Sequence, residues 1–275
     1  MATSAPAPGA APPGQPPPPP PAPAATHWTL ESIRSTFDWL RGYTLSGVWR
    51  YLDRLGLKLR SARVQQFSPD PDYRAKVIDL EMALGEARRY PDSVAAVFID
   101  EMGFSRWPEP GLDWGAEPAV ADRLGANNGL WRLIGGLNAV TGRVDYLDNY
   151  IVGRAKVIEF YGDLVAAYPR AETLYVIQDN WSIHSHPDVL EALKQWPAVQ
   201  PVWLPTYAPW LNPIEKLWRW LKQDVLKMHR LADDWKALRR RVRDWLGQFR
   251  GGSQRLLEYV GLLGNGRLAQ MTHGP

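Results

Sequence analysis

From residue 26 onward, apolar residues in the chain follow two rhythms, and each predicts a different element. Leu30, Ile33, Phe37 and Leu40 recur at helical spacing behind a capping Thr29. Leu45, Val48, Trp49, Leu52 and Leu55 do the same after the turn Gly42-Tyr43-Thr44 and stop at Gly56. Two short amphipathic helices around a glycine-containing turn read as a helix-turn-helix. A third helix is expected over residues 73–90, with Val77, Leu80, Leu84 and Ala87 inward. The rhythm then changes to unbroken apolar runs. Residues 94–99 (VAAVFI) and 174–177 (LYVI) have the pattern of buried central strands, the first ending on Asp100 and the second on Gln178-Asp179-Asn180. Between them the spacing predicts a hairpin with a long loop over residues 102–118, strands over 130–139 and 143–151 around Thr141-Gly142, and a helix over 156–168. A helix over 187–196 and a strand over 199–204 follow.

The stretch LPTYAPWLNPIEKLWRWLKQDVLK, residues 204–227, then opens with a proline-bounded loop and starts a helix. Asn212 reads as the N-cap, Pro213 as the first helical residue and Glu215 as the acid three residues after the cap. Leu217, Trp218, Leu221, Val225 and Leu226 form the face that docks this helix on a core. Two readings stand for Glu215, a capping-box glutamate or a carboxylate held on a rigid platform, and the other acids must decide. Strands in a meander followed by strands alternating with helices predict a mixed α/β sheet flanked by helices, behind a small N-terminal helix-turn-helix. The expected boundaries are a proline-rich tail (1–25), a helix-turn-helix unit (26–66), a linker helix (67–92), the α/β body (93–228) and a basic helical C-terminal region (229–275).

Composition alters this picture in three ways. Residues 1–25 hold 11 of the 25 prolines and no charged side chain, so they read as a tail that buries no core. The chain has no cysteine, which excludes disulfides and thiolate metal sites and leaves oxygen and imidazole as ligands. No apolar run approaches the roughly 20 residues of a membrane span, so the expectation is a soluble, cytoplasmic protein. The net charge of +3 conceals a division along the chain: 7 Lys and Arg against 3 Asp and Glu in residues 26–66, 14 against 21 in 67–220, and 11 against 5 in 221–275. An acidic body between basic arms suits an enzyme that gathers cations and touches phosphates. In a helix-turn-helix the second helix enters the major groove, so Ser46, Arg50 and Arg54 are candidate DNA contacts, with Lys58, Arg60 and Arg63 continuing along the phosphates.

Asp100 and Asp179 each follow a buried strand at its carboxyl end, where open α/β sheets place their ligand sites. An aspartate there also caps turns, and for either alone that reading is the simpler one. Paired on neighbouring strands they repel unless a cation lies between them. With Glu215 they make three hard oxygen donors, suited to two Mg²⁺ or Mn²⁺ ions and to phosphodiester chemistry.

The segments FIDEMGF (98–104), VIQDNWSIH (176–184) and PTYAPWLNPIEKLW (205–218) closely resemble the three acidic motifs of DDE transposases, of the mariner-like group that includes bacterial insertion-sequence family 630. The resemblance covers roughly residues 94–228. It implies an RNase H-like fold with Asp100, Asp179 and Glu215 as the metal-binding triad. It also implies cleavage at element ends, attack of the freed 3′ hydroxyl on target DNA, and a homodimer that pairs two ends. Residues 28–60 look like one of the paired helix-turn-helix units of that family, which usually number two. The alternatives are an RNase H-like nuclease that cuts without joining, or a domesticated or truncated DNA-binding protein with a vestigial triad.

Neighbouring acids and aromatics complete the expectations. Glu101 adjoins Asp100 on a strand and so points to the opposite face, toward a surface or supporting contact. His184, which matches the motif, is expected to assist the site together with Asn180, and His186 to cap the helix over 187–196. Trp203, Trp218 and Trp220 read as core, while Trp181 and Trp210 lie in loops where a ring can stack on a base. Arg239, Arg240, Arg241 and Arg243 form a helix face readable either as solvated surface or as a DNA track.

Overall fold

The computed structural model describes residues 27–60, 67–123 and 128–270. The chain divides into two compact units, Met1–Val64 and Gln65–Pro275. The proline-rich tail and Arg63 lie outside the described residues.

In the first unit, helix α1 (Leu30–Thr36) opens with a reciprocal capping box between Thr29 and Ser32. It is shorter than its apolar spacing predicts. Phe37 is extended (φ −101°, ψ 109°), so Leu40 reaches the core from a separate 3₁₀ turn, Asp38–Leu40. Thr44 caps helix α2 (Leu45–Arg54), and Gly56, at φ 75°, ends the segment in the left-handed region. Among its described residues only Leu40 and Val48 are buried, and a chain of ring contacts from Trp28 through Phe37 and Trp39 to Tyr51 supplements that small core.

The second unit begins with α3 (Tyr73–Arg89) and carries one five-stranded sheet. Its strands are β1 (Val94–Ser105), β2 (Leu130–Asn138), β3 (Val144–Asn149), β4 (Thr173–Gln178) and β5 (Val199–Trp203), in the order β3-β2-β1-β4-β5. The β1, β2 and β3 pairings are antiparallel, whereas β4 lies parallel to β1 and β5 parallel to β4. This is the mixed sheet that the order of elements predicts. Helices α4 (Arg154–Ala167) and α5 (Pro187–Leu193) follow β3 and β4. Helix α6 (Ile214–Leu221) continues into a wider π turn, Lys222–Leu226, and α7 (Trp235–Gly247), α8 (Gln254–Val260) and α9 (Arg267–Gln270) close the unit.

Strand β1 divides two cores by alternation. Ala96, Phe98, Met102 and Phe104 join the cluster that includes α3, α6, α7 and α8 residues, whereas Ala95, Val97 and Ile99 join the cluster under α4 and α5. Phe98, Leu133, Leu137, Phe160 and Leu217 are almost wholly buried. Each contributes about 1.5–3 kcal/mol, which fixes the sheet as a rigid base for the site.

Three expectations are corrected. β1 does not end at Asp100 but runs on to Ser105, because Met102 and Phe104 keep the alternation and β2 continues to pair with it, Asp100 opposite Gly135. What ends near Asp100 is the pairing with β4, whose last register pair is Phe98 with Ile177. The first residues of the expected hairpin segment, 102–105, are therefore the end of β1. Asn212 does not cap α6 with its side chain; it closes the 3₁₀ turn Pro209–Leu211, and Pro213 stands at the cap position. Among the described residues no helix is long and apolar enough to cross a membrane.

On α7 the arginines divide by role. Arg243 pairs with Asp148 at 2.8 Å and Arg239 lies over the Trp131 ring at 4.4 Å, while Arg240 and Arg241 face solvent. At the sheet edge, β5 turns Ala198 and Leu204 toward β4, through Leu174 N to Ala198 O and Leu204 N to Gln178 O. By alternation Pro201 then has its nitrogen on the open side.

Candidate active site

Asp100 and Asp179 stand two residues beyond the last register pair on their strands, on the same face of the sheet as Phe98 and Ile177. The sequence expectation of neighbouring strands is met by the β1–β4 pairing. Glu215 lies in the first turn of α6, whose buried residues Ile214, Leu217, Trp218 and Leu221 dock it on that face. All three acids line one cleft of about 420 Å³, together with Asn180, Trp181, Asn212 and the loop from Leu204 to Pro209. Asp179 and Glu215 are exposed and Asp100 is half-buried.

The supports of the two aspartates differ. Trp218 donates its indole N–H to Asp100 Oδ2 at 3.0 Å, one helical turn after Glu215. Burial, then the negative charges of Glu215, Glu101 and Asp179, push the Asp100 carboxyl up to about 8. At Asp179, burial also acts upward, but hydrogen bonds from His184 and from the Trp181 amide, with the His184 charge, bring the carboxyl below its ordinary value. His184 is wholly buried between two carboxylates, Nε2 at 3.1 Å from Glu101 and Nδ1 at 3.4 Å from Asp179. Burial alone would lower it; the two carboxylates outweigh that and raise it to about 9, so the ring is an imidazolium at neutral pH. Glu101 thus lies across the sheet from Asp100, and its partner is His184. His186 accepts from the Asp188 amide as the cap of α5.

The loop leading to α6 is tied down from outside. Asn180 Nδ2 donates to Leu204 O at 2.9 Å and to Thr206 Oγ1 at 3.1 Å. Ser68 donates to Thr206 O, and the Thr206 amide donates to Asp70, which also pairs with Lys76 at 2.8 Å. Nothing local in residues 68–72 announces a partner 136 residues away. Trp210 is half-buried and donates to the Tyr73 hydroxyl at 3.4 Å, so its ring packs on the core cluster. Trp181 lies edge-on to His184 at 5.4 Å and lines the cleft. Of the candidate DNA contacts, Ser46, Arg50, Arg54, Lys58 and Arg60 are all exposed, on α2 and just after it.

The mixed β3-β2-β1-β4-β5 sheet flanked by helices is an RNase H-like fold. The sequence model of the DDE superfamily endonucleases matches residues 95–239, more than half of the chain, and the chain belongs to that family. A curated relative, the "Insertion element IS630 uncharacterized 39 kDa protein" of Shigella sonnei, is 27% identical over 239 residues, which is 84% of this chain and 68% of that protein. Among solved structures the fold is similar to the Mos1 mariner paired end complex with Mn, with a TM-score of 0.56 and 15% identity over 89% of this chain and 75% of that one. It is also similar to the Mos1 Strand Transfer Complex, with a TM-score of 0.51 and 16% identity over 85% and 72%.

Proposed function

We propose that this chain is a transposase that cuts DNA at the ends of a mobile element and joins the freed 3′ hydroxyl to target DNA, with Asp100, Asp179 and Glu215 as its metal-binding acids. The observation that carries the reading is the convergence of those acids, one from each motif segment, on a single cleft. The donor set fits hard divalent cations: it is all carboxylate oxygen, and the upward push on Asp100 by its neighbours' charges is a repulsion that a cation relieves. As the side chains stand, no three acidic or histidine residues among the described ones are close enough to hold one ion. Holding one ion would therefore require Asp179 and Glu215, the exposed members, to turn toward Asp100. Two Mg²⁺ or Mn²⁺ ions held there would supply the positive charge that activates an attacking water or 3′ hydroxyl and offsets charge on the phosphate. The chain's own residues prepare this. Trp218 holds one oxygen of Asp100, His184 keeps Asp179 ionised, and Asn180 fixes the loop that carries Glu215 into place.

DNA is the partner that this reading requires. Ser46, Arg50 and Arg54 on α2 would face the major groove, with Lys58, Arg60 and Arg63 on phosphates. A homodimer that pairs two ends and association with the nucleoid follow from the same reading. The relatives named as a Mos1 paired end complex and a strand transfer complex support it by fold. The test is incubation of the full chain with Mg²⁺ or Mn²⁺ and labelled duplexes carrying the inverted repeats that flank its gene. Joined product is expected, and Asp179→Asn should stop cleavage while leaving the gel shift in place. Cleavage without joining would point to a simple nuclease, retarded but uncut DNA to a binding protein, and unaltered cleavage by Asp179→Asn would sink the site.

A further inference from the structure

One residue of the acid cleft has an unfavourable backbone for its type. Tyr207 sits at φ 53°, in the left-handed region that a bulky L-residue enters only under constraint, and the residue is 78% exposed although it is aromatic. The constraint is visible in its neighbours. Thr206 is held on three sides, through its amide by Asp70, through its carbonyl by Ser68 and through its hydroxyl by Asn180. On the other side, the Ala208 amide bonds back to Pro205 O, and Ala208 is buried. Both flanks are fixed around this backbone, and Tyr207 lines the same cleft as Asp100, Asp179 and Glu215. Neither helix nor strand geometry asks for this, and a glycine would meet the backbone requirement at no steric cost. An exposed, strained tyrosine beside three carboxylates gains nothing for folding.

We propose that Tyr207 is the stacking platform of the cleft, taking the flat face of an unpaired nucleobase beside the phosphodiester that the acids address. The inference rests on the phosphodiester reading of the cleft. Of the two loop tryptophans that the sequence suggested for this task, Trp210 is engaged by Tyr73 and the core and Trp181 is half-buried edge-on against His184, so the exposed aromatic residue of the cleft is Tyr207. A stacked ring tolerates any base, because each presents a π face, so the platform would hold a frayed end open without selecting sequence.

The experiment uses the full chain, Ca²⁺ in place of Mg²⁺, and a single-stranded oligonucleotide containing 2-aminopurine, whose fluorescence is quenched on stacking. Wild type should quench the probe, Tyr207→Phe and Tyr207→Trp should keep the quenching, and Tyr207→Leu should lose it with about tenfold weaker binding. Tyr207→Gly is the folding control: it should melt no lower than wild type, because it relieves the backbone, yet bind like the leucine variant. A merely structural tyrosine predicts the reverse, a lower melting temperature with quenching retained, and that result would overturn the proposal. Quenching that survives in Tyr207→Leu overturns it too. The readout is binding and not cleavage, so this failure is distinguishable from failure of the acids, which Asp179→Asn reports separately.

Discussion

Asp100 and Asp179 leave the same face of adjacent parallel strands, yet their surroundings act on them in opposite ways. Asp100 is half-buried, has a neutral indole as its donor, and is crowded by three other acids, which drives it toward the protonated form. Asp179 is exposed and bonded to a buried imidazolium, which keeps it ionised. The difference teaches that the cleft without a cation is not uniformly charged. On the proposed reading, Asp179 stands ready as a ligand and Asp100 becomes one only when positive charge arrives, so cation binding should release a proton from Asp100 near neutral pH.

The strongest way to break this comparison is to neutralise each acid in turn. Asp100→Asn and Asp179→Asn should both reduce cleavage to the level of a blank, but only one should leave the metal-free protein better off. Asp100 has a folded value raised to about 8 against 3.8 when unfolded, so its contribution is present below pH 3.8 and is lost as pH rises through 8. Melting in EDTA should therefore fall between pH 4 and 8 in wild type and flatten in Asp100→Asn. Asp179 has a depressed value, so its contribution is lost only as pH falls below the ordinary carboxylate range. Identical melting profiles for the two variants would remove the asymmetry.

His184 sharpens the same contrast from the other side. His184→Gln should lower stability by about 2 kcal/mol, since two charge-assisted contacts go, and should weaken Mn²⁺ binding about 10–100-fold through Asp179. Its pH signature is distinct: raised to about 9 from 6.5, the group stabilises fully below 6.5 and ceases to do so as pH passes 9. Loss of that alkaline slope in the variant, read by calorimetry, is the expected outcome. A slope that persists would assign it elsewhere.

A smaller effect is expected at Trp218. Trp218→Phe keeps most of the ring volume and removes the N–H, so Mn²⁺ affinity should drop about tenfold, equivalent to one charge-assisted hydrogen bond, with little change in melting. Gly135→Ala should reproduce part of the loss by another route. Gly135 pairs with Asp100 across the strands, and a Cβ there would stand 2.4 Å from the Trp218 ring, which must then shift. Wild-type Mn²⁺ binding in both variants would mean that the indole does not position Asp100.

Much of the scaffold was legible in the chain because burial writes itself into residue type. The runs VAAVFI and LYVI mark the two central strands, and the proline-bounded motif marks the helix that carries Glu215. The alternation that sends Glu101 away from Asp100 was legible as well. The end of β1 was not, because its second half is buried on one face only and a continuous apolar run says nothing about where half-burial begins. The role of Asn212 was misread because a 3₁₀ turn delivers the chain into α6, and local capping rules do not see that turn. The links from His184 to Glu101, Trp218 to Asp100 and Asp70 to Thr206 span 83, 118 and 136 positions, distances over which no periodicity carries information.

Pro201 has a consequence for how the molecule behaves in a crowd. A sheet with an open side is a template on which another backbone can assemble, and the middle of β5 is where such growth would start. By putting a ring where an outward N–H would stand, the chain interrupts that template, so sheet-by-sheet fibre growth is discouraged at this border without spending a charge or a covering helix on it.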